Sequence, residues 1–283
     1  MGDSGSGVHL SSIPLAPDLP LSSADPEEIS VLVTGFGPFK SNVVNASYLI
    51  ASALPPSISL PTDTPGGTTA IRRIAIHVHP SPISVAYSAV RTTIPYIMEE
   101  YVKTHGRHPD IVIHMGIAAT RSYYSIETKA HRDAYNMPDN LGRAGYEDGE
   151  KLWKEKTLPH VLTAGRSDPA REPVVKLDLT PSRTNLNPHP PDSEFLKTWQ
   201  AFAPAGADIR ISGDAGRYLC EFIFYTSLSL ALREGRDRNV AFFHVPSSCR
   251  DVDVATGKEV AIALIKALVS RWVDAKVYEH DWA

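Results

Sequence analysis

Only two cysteines, Cys220 and Cys249, occur in 283 residues. A scaffold stapled by several disulfides is excluded, and a reducing compartment, the cytoplasm, is expected. No apolar run approaches the roughly 18 residues that mark a membrane-spanning helix, so no membrane association is expected. Basic residues are not in excess: 28 Lys+Arg stand against 32 Asp+Glu, a net charge of −4. The electrostatic footprint of a nucleic-acid binder is missing. No Lys or Arg precedes Lys40, so the basic start of a secretory signal is absent too. What remains is ordinary in bulk. Hydrophobic residues make up 42% and charged residues 21%, which excludes a wholly disordered, collagen-like or coiled-coil chain.

Residues 1–28 are dominated by Ser, Pro, Gly and Asp. Such a segment buries too little apolar surface to offset its ordering entropy and reads as a disordered extension. From residue 29 to 283 strands and helices alternate. Ile29–Phe36 (ISVLVTGF), Asp110–Met115 (DIVIHM) and Asn239–Val245 (NVAFFHV) are continuous apolar runs, the mark of strands buried on both faces. Ala70–His79 and Asp208–Ser212 are further strands, and Tyr123–Ala130 is a more polar one. Helices are expected over Asn45–Leu54, Pro82–His105 (bent at Pro95), Asp192–Phe202, Ala215–Glu234 and Thr256–Asp274, with some helical character over Glu147–Leu162. Asp214 is expected to cap the helix that begins at Ala215. Residues 55–69 read as a loop. Residues 141–207 form an irregular insertion, with six prolines between 165 and 191. The alternation predicts one α/β domain with a twisted, mostly parallel sheet covered by helices on both faces.

In such sheets ligands gather at the carboxyl ends of the strands. Four ends stand out: Gly35–Phe39 (GFGPF), Gly116–Arg121 (GIAATR), Glu127 and His244. Gly35 and Gly37 invite a dinucleotide reading, but Lys40 occupies the third glycine's place and Pro38 interrupts the helix start. The other reading is a pocket lip made of Phe36 and Phe39, against which stands simple core packing of both rings. Cys220 lies six residues past its expected cap. A lone helical cysteine is ordinarily inert core; a base changes that. His244 ends a buried strand and suits a general base and acid, and Glu127 is the strand-end carboxylate available to orient it. His77 and His79 share a strand face, but no cysteine or acidic pair completes a metal site. Cys249 reads as structural or incidental.

These residues also carry a resemblance. VLVTGFGPF with Asn45, the segment Gly116–Glu127, the run SGDAGRYLC ending at Cys220 and followed by Phe224-Tyr225, and FHVP around His244 occur in the order found in the pyroglutamyl peptidase I family of cysteine peptidases, which the chain resembles over roughly 30–140 and 208–275. The resemblance implies hydrolysis of the amide after an N-terminal pyroglutamyl residue. Cys220 would be the nucleophile, His244 the base and acid, and Glu127 its orienting carboxylate, with an acyl-enzyme on the way. It implies no cofactor and no metal. Peptides with N-terminal pyroglutamate are the implied partners, and homo-oligomers are compatible with it. Phe36, Phe39, Tyr218 and Leu219 would enclose the lactam ring, with Asn45 and Met137 also at the substrate. Ile117 stands where the family has glutamine, Asn136 where it has an arginine associated with the oxyanion, and Glu221 where it has asparagine. A carboxylate beside the nucleophile opposes thiolate formation if it points inward. Two other functions stay open: a related amidase or deacylase with a changed pocket, and a non-catalytic binding homologue. Retention of Cys220, His244 and Glu127 speaks against the second.

Overall fold

The computed structural model describes residues 28–39, 42–63, 69–167 and 186–273. The expected N-terminal extension, Glu28 excepted, and most of the proline-rich excursion lie outside the described residues. In chain order the elements are β1 (Ile29–Gly35), α1 (Ala46–Ser52), β2 (Ser57–Asp63), β3 (Thr69–Val78), α2 (Tyr87–His105), β4 (Ile111–Ile117), β5 (Tyr124–Glu127), β6 (Ala130–His131), a π-helical turn (Tyr146–Glu150) continuing into α3 (Lys151–Glu155), β7 (Val161–Leu162), α4 (Ser193–Phe202), β8 (Ile209–Ser212), α5 (Leu219–Arg233), β9 (Val240–Val245) and α6 (Asp251–Trp272).

Seven strands form one sheet in the order β2-β3-β1-β4-β9-β5-β8, and β6 and β7 form a separate two-stranded ribbon. The central pairs β3–β1, β1–β4 and β4–β9 are parallel, as is β5–β8. Two pairs, β2–β3 and β5–β9, are antiparallel. The three apolar runs β1, β4 and β9 sit side by side at the centre. Both of their faces are covered, which is why they read without alternation. One face packs on α1, α4 and α6 around Ile113, Phe243, Trp199 and Leu264. The other packs on α2 and α5 around Val112, Phe242, Tyr87 and Phe222.

Four expectations are corrected. Residues 57–63 are not a loop but an edge strand, paired antiparallel to β3 from Ser57↔Ala75 to Asp63↔Thr69. Ser, Thr and Pro61 hide it, yet proline is tolerated at a sheet edge, where one side of the strand owes no hydrogen bond. Helix α2 starts at Tyr87 rather than Pro82, because Ile83 bridges to Phe36 and extends the sheet's end. Helix α6 starts at Asp251, a turn and more before Thr256. The helix holding the cysteine starts at Leu219, with Tyr218 and not Asp214 in the cap position. Asp214 instead accepts from Gly216 N–H at 3.0 Å, and Gly216 at φ +78° takes the left-handed turn that delays the helix.

Candidate active site

The site is assembled where the parallel strands β1, β4 and β9 end and the antiparallel β5 passes beside β9, against the start of α5. The first lip is the turn after β1. Gly35 is required there: a Cβ would stand 2.7 Å from the Cα of Tyr48, so α1 passes at backbone distance. Asn45 caps α1, accepting from Ser47 N–H at 3.1 Å, and its amide donates to the Gly37 carbonyl at 2.8 Å. The Phe36–Gly37 turn is thereby pinned to the helix.

Cys220 is the second residue of α5, so its sulfur lies in the first turn, where N–H groups have no intrahelical acceptor. Its Sγ rests on Gly116: a Cβ at that glycine would come within 2.8 Å of the sulfur and 2.9 Å of the Phe242 ring. Gly116 is the register partner of His244 across β4–β9, and Ser125 is its partner across β9–β5. The sulfur thus sits over the strand position beside the histidine. His244 Nδ1 lies 2.7 Å from Glu127 Oε1. The two residues are 4% and 1% exposed, so the pair is held out of water. An ionised Glu127 accepts from Nδ1–H, which leaves Nε2 as the basic nitrogen.

The electrostatics follow from burial. Burial pushes the Cys220 thiol up to about 12, and the Glu127 carboxylate pushes the same way, while Arg121 opposes both. Burial also disfavours the Glu127 anion, but hydrogen bonds from His244 and Arg121 prevail and hold its carboxyl below the usual range. Arg121 Nη1 is 2.8 Å from Glu127 Oε1. A thiol pushed up in this way favours the protonated sulfur, and only a base beside it would make a thiolate.

A small pocket opens in front of the sulfur, lined by Phe36, Phe39, Asn45, Val85, Ile117, Tyr218, Leu219 and Cys220. All the expected contact residues except two are therefore brought together. Asn136 and Met137 lie outside that lining on an exposed stretch, while the preceding Tyr135 turns into the core. The loop after them still closes the pocket's rim. Tyr218 donates to the Pro138 carbonyl at 3.2 Å and Asn140 to the Pro38 carbonyl at 2.9 Å. Asp139 accepts from Tyr87 N–H at 2.8 Å, supplying from a distance the cap that Ala86 cannot give α2.

Glu221 adds, by its charge, to the upward push on the Cys220 thiol, but its hydrogen bonds go elsewhere. It turns to His131 Nδ1 at 2.8 Å and Arg217 Nη1 at 2.7 Å. Cys249 is exposed, on the loop before α6. His77 stacks edge-on with Tyr101 and His105, and His79 Nδ1 is 2.6 Å from the Ser81 carbonyl. Among the described residues no group of three or more His, Cys, Asp or Glu converges as a metal site, and no helix is long and apolar enough to cross a membrane. Sequence reasoning missed Arg121 and Asp139. Arg121 was visible only as the end of the Gly116–Arg121 strand terminus.

The profile of the pyroglutamyl peptidase family matches residues 29–167. Pyroglutamyl-peptidase 1 of Mus musculus is 28% identical over 217 residues, covering 77% of this chain and 78% of its own. Pyrrolidone-carboxylate peptidase of Pyrococcus furiosus is 28% identical over 220 residues, covering 77% and 81%. In three dimensions the chain matches pyrrolidone carboxyl peptidase from Thermococcus litoralis with a TM-score of 0.54 at 20% identity, over 88% of this chain and 99% of the other. That last likeness is one of fold.

Proposed function

We propose that the chain, whose residues 29–167 match the pyroglutamyl peptidase family, is a cysteine peptidase that removes an N-terminal pyroglutamyl residue through Cys220, His244 and Glu127. His244 Nε2 takes the thiol proton as Sγ attacks the carbonyl that joins the lactam ring to the next residue. The charge that develops on the carbonyl oxygen is met by the unpaired N–H groups of the first turn of α5. The C–N bond breaks, and the imidazolium gives its proton to the leaving amine. Water, deprotonated by His244, then opens the thioester and frees pyroglutamate. Glu127 holds His244 in the tautomer this cycle needs and stabilises the imidazolium.

The observation that carries this reading is the buried 2.7 Å contact between His244 Nδ1 and Glu127 Oε1 behind a pocket that has Cys220 in its wall. The pocket's composition supports the substrate class. A pyroglutamyl ring is flat and uncharged, and Phe36, Phe39, Ile117 and Leu219 offer it apolar contact. An ordinary N-terminal ammonium would be stranded there without a partner. The two cysteines are both free, which fits a reducing, cytoplasmic location.

The test is release of chromophore from a pyroglutamyl amide by the reduced, purified protein, abolished by Cys220→Ala and by alkylation of Cys220. No release while Cys220 remains a free thiol would overturn the reading. Ile117 favours a second one, an amidase for another small uncharged acyl group, because the lining carries an aliphatic chain where a polar lactam contact is expected. A panel of N-acyl and lactam amides separates the two by rank of kcat/KM.

A further inference from the structure

The charge balance of the triad is incomplete without a fourth residue. With the thiol protonated and the imidazole neutral, Glu127 would be a buried anion facing only neutral donors, an expensive state. The side chain that balances it is Arg121, itself only 20% exposed against the fully buried carboxylate. Its guanidinium makes three contacts. Nη1 donates to Glu127 Oε1 at 2.8 Å and to Ser125 Oγ at 2.7 Å, and Nη2 donates to the Asp214 carbonyl at 2.9 Å.

These contacts join the three segments that must stay in register. Ser125 and Glu127 are on β5, beside His244 on β9. Asp214 lies in the turn that leads into α5 and Cys220. The backbone under Arg121 is fixed as well: Arg121 N–H closes a turn on the Ala118 carbonyl at 2.9 Å, and Ala118 N–H is tied to the carbonyl of Val245, the neighbour of His244, at 3.0 Å. Arg121 and His244 both donate to Oε1, so the arginine holds toward the imidazole the one carboxylate oxygen that has partners, while Oε2 is buried without one.

We propose that Arg121 is a positioning residue of the catalytic site, holding Glu127 as an oriented anion against His244 and locking the nucleophile's entry turn to the acid's strand. The proposal rests on the triad reading above. The charged and titratable groups around the guanidinium are Glu127 on β5, His244 on β9, Cys220 on α5, the Tyr123 ring at 5.7 Å, and Arg210 on β8 stacked on that same ring at 3.9 Å. Arg210 is committed to Asp208, so it does not replace Arg121 at Glu127.

The sign of the effect is the same for every neighbour. Removing a fixed positive charge makes the acid, the imidazole and the thiol all hold protons more tightly. In Arg121→Gln, both limbs of the kcat/KM–pH profile are expected to move to higher pH, by about one unit. At its own optimum the variant should lose about 10²-fold in kcat with KM little changed. Arg121→Lys keeps the charge but not the fork, so its limbs should stay in place while kcat recovers only in part. A merely structural arginine would lower Tm and leave both limbs where they were, and that result would overturn the proposal. If R121Q does not fold, R121K decides alone: limbs in the wild-type position with lowered kcat support the role, and displaced limbs or wild-type kcat overturn it. The iodoacetamide rate at Cys220 against pH, resolved from Cys249 by mass spectrometry, gives the same readout without substrate. A protein inactive on pyroglutamyl amides would refute the proposed function, while an Arg121-dependent shift of that alkylation profile would still test Arg121 on its own.

Discussion

Two buried carboxylates flank Cys220, and their surroundings are nearly copies of one another. Glu127 meets a histidine at 2.7 Å and an arginine at 2.8 Å; Glu221 meets a histidine at 2.8 Å and an arginine at 2.7 Å. Both carboxylate side chains are fully buried. They nevertheless titrate in opposite directions. Burial opposes ionisation in both, but at Glu127 the hydrogen bonds from His244 and Arg121 win and the carboxyl is held low. At Glu221 burial wins over His131 and Arg217, and the carboxyl is raised. The partner histidines differ in place: His244 lies near the end of a central strand beside Gly116, whereas His131 lies on the outer ribbon and faces His160. An Arg–Glu–His set is not a catalytic device by composition. Its position relative to the thiol decides what it does.

The largest expected effect is therefore confined to one of the two. Glu127→Gln removes the anion behind His244 and permits the wrong tautomer, so kcat/KM on a pyroglutamyl amide should drop by about 10⁴-fold. If Glu221→Gln cost as much, the distinction between the two sets would collapse. Next in size is Gly116→Ala. The added methyl would stand 2.8 Å from Sγ and 2.9 Å from the Phe242 ring, so the sulfur must shift. Misplacement of that order is expected to lower kcat by about 10²-fold, with overpacking costing about 1–3 kcal/mol in a denaturant titration. Both variants act at the sulfur side of the comparison. Glu221→Gln acts at the other. It breaks the link from the first turn of α5 to the β6–β7 ribbon, and about 2 kcal/mol of stability should go with it. That is below the usual cost of a stranded buried charge, because Arg217, 36% exposed, can turn to water. Its kcat should stay near wild type; a collapse of kcat with unchanged stability would reassign Glu221 to the chemistry.

The same contrast explains what could be read from the chain in advance. The strands β1, β4 and β9 announced themselves by apolar runs that end at glycine or before proline, and these carry the site's frame. Cys220, His244 and Glu127 were recognisable as strand-end or helix residues of the right chemical types. Four features were hidden. Edge strand β2 is written in Ser, Thr and Pro, since only one of its sides needs a partner. Asp214 reads as the cap of a helix beginning at Ala215, because an aspartate ahead of an apolar helix looks the same whether it caps the helix or, as here, closes a local turn onto Gly216. Asn136 and Met137 come to the substrate only by family resemblance, with no pattern of their own that places them there. The buried Tyr135 takes the inward position, leaving its neighbours outside. Arg121 and Asp139 work through contacts to segments far away in the chain, with Asp214 and Tyr87, and no local pattern encodes such a contact.

A different effect, on pH dependence alone, concerns a third histidine, which has neither acid nor arginine and so shows what the two sets add. His114 lies on β4 between Thr34 Oγ1, 2.7 Å from Nδ1, and Ser227 Oγ, 2.8 Å from Nε2. Hydroxyls serve a neutral ring, and with no counter-charge burial pushes its pKa down from 6.5 to about 3. The folded state therefore refuses a proton that the unfolded chain accepts. Stability from this residue is complete above about pH 6.5 and drains away as the pH falls toward 3, at about 1.4 kcal/mol per pH unit while only the unfolded chain is protonated. Replacing the ring with an uncharged amide, His114→Asn, should flatten the stability–pH curve between pH 6 and 4 by about that slope, even if the variant is less stable throughout. Equal slopes in the two proteins would mean that a carboxylate reaches His114 after all, and that burial alone does not separate it from His244.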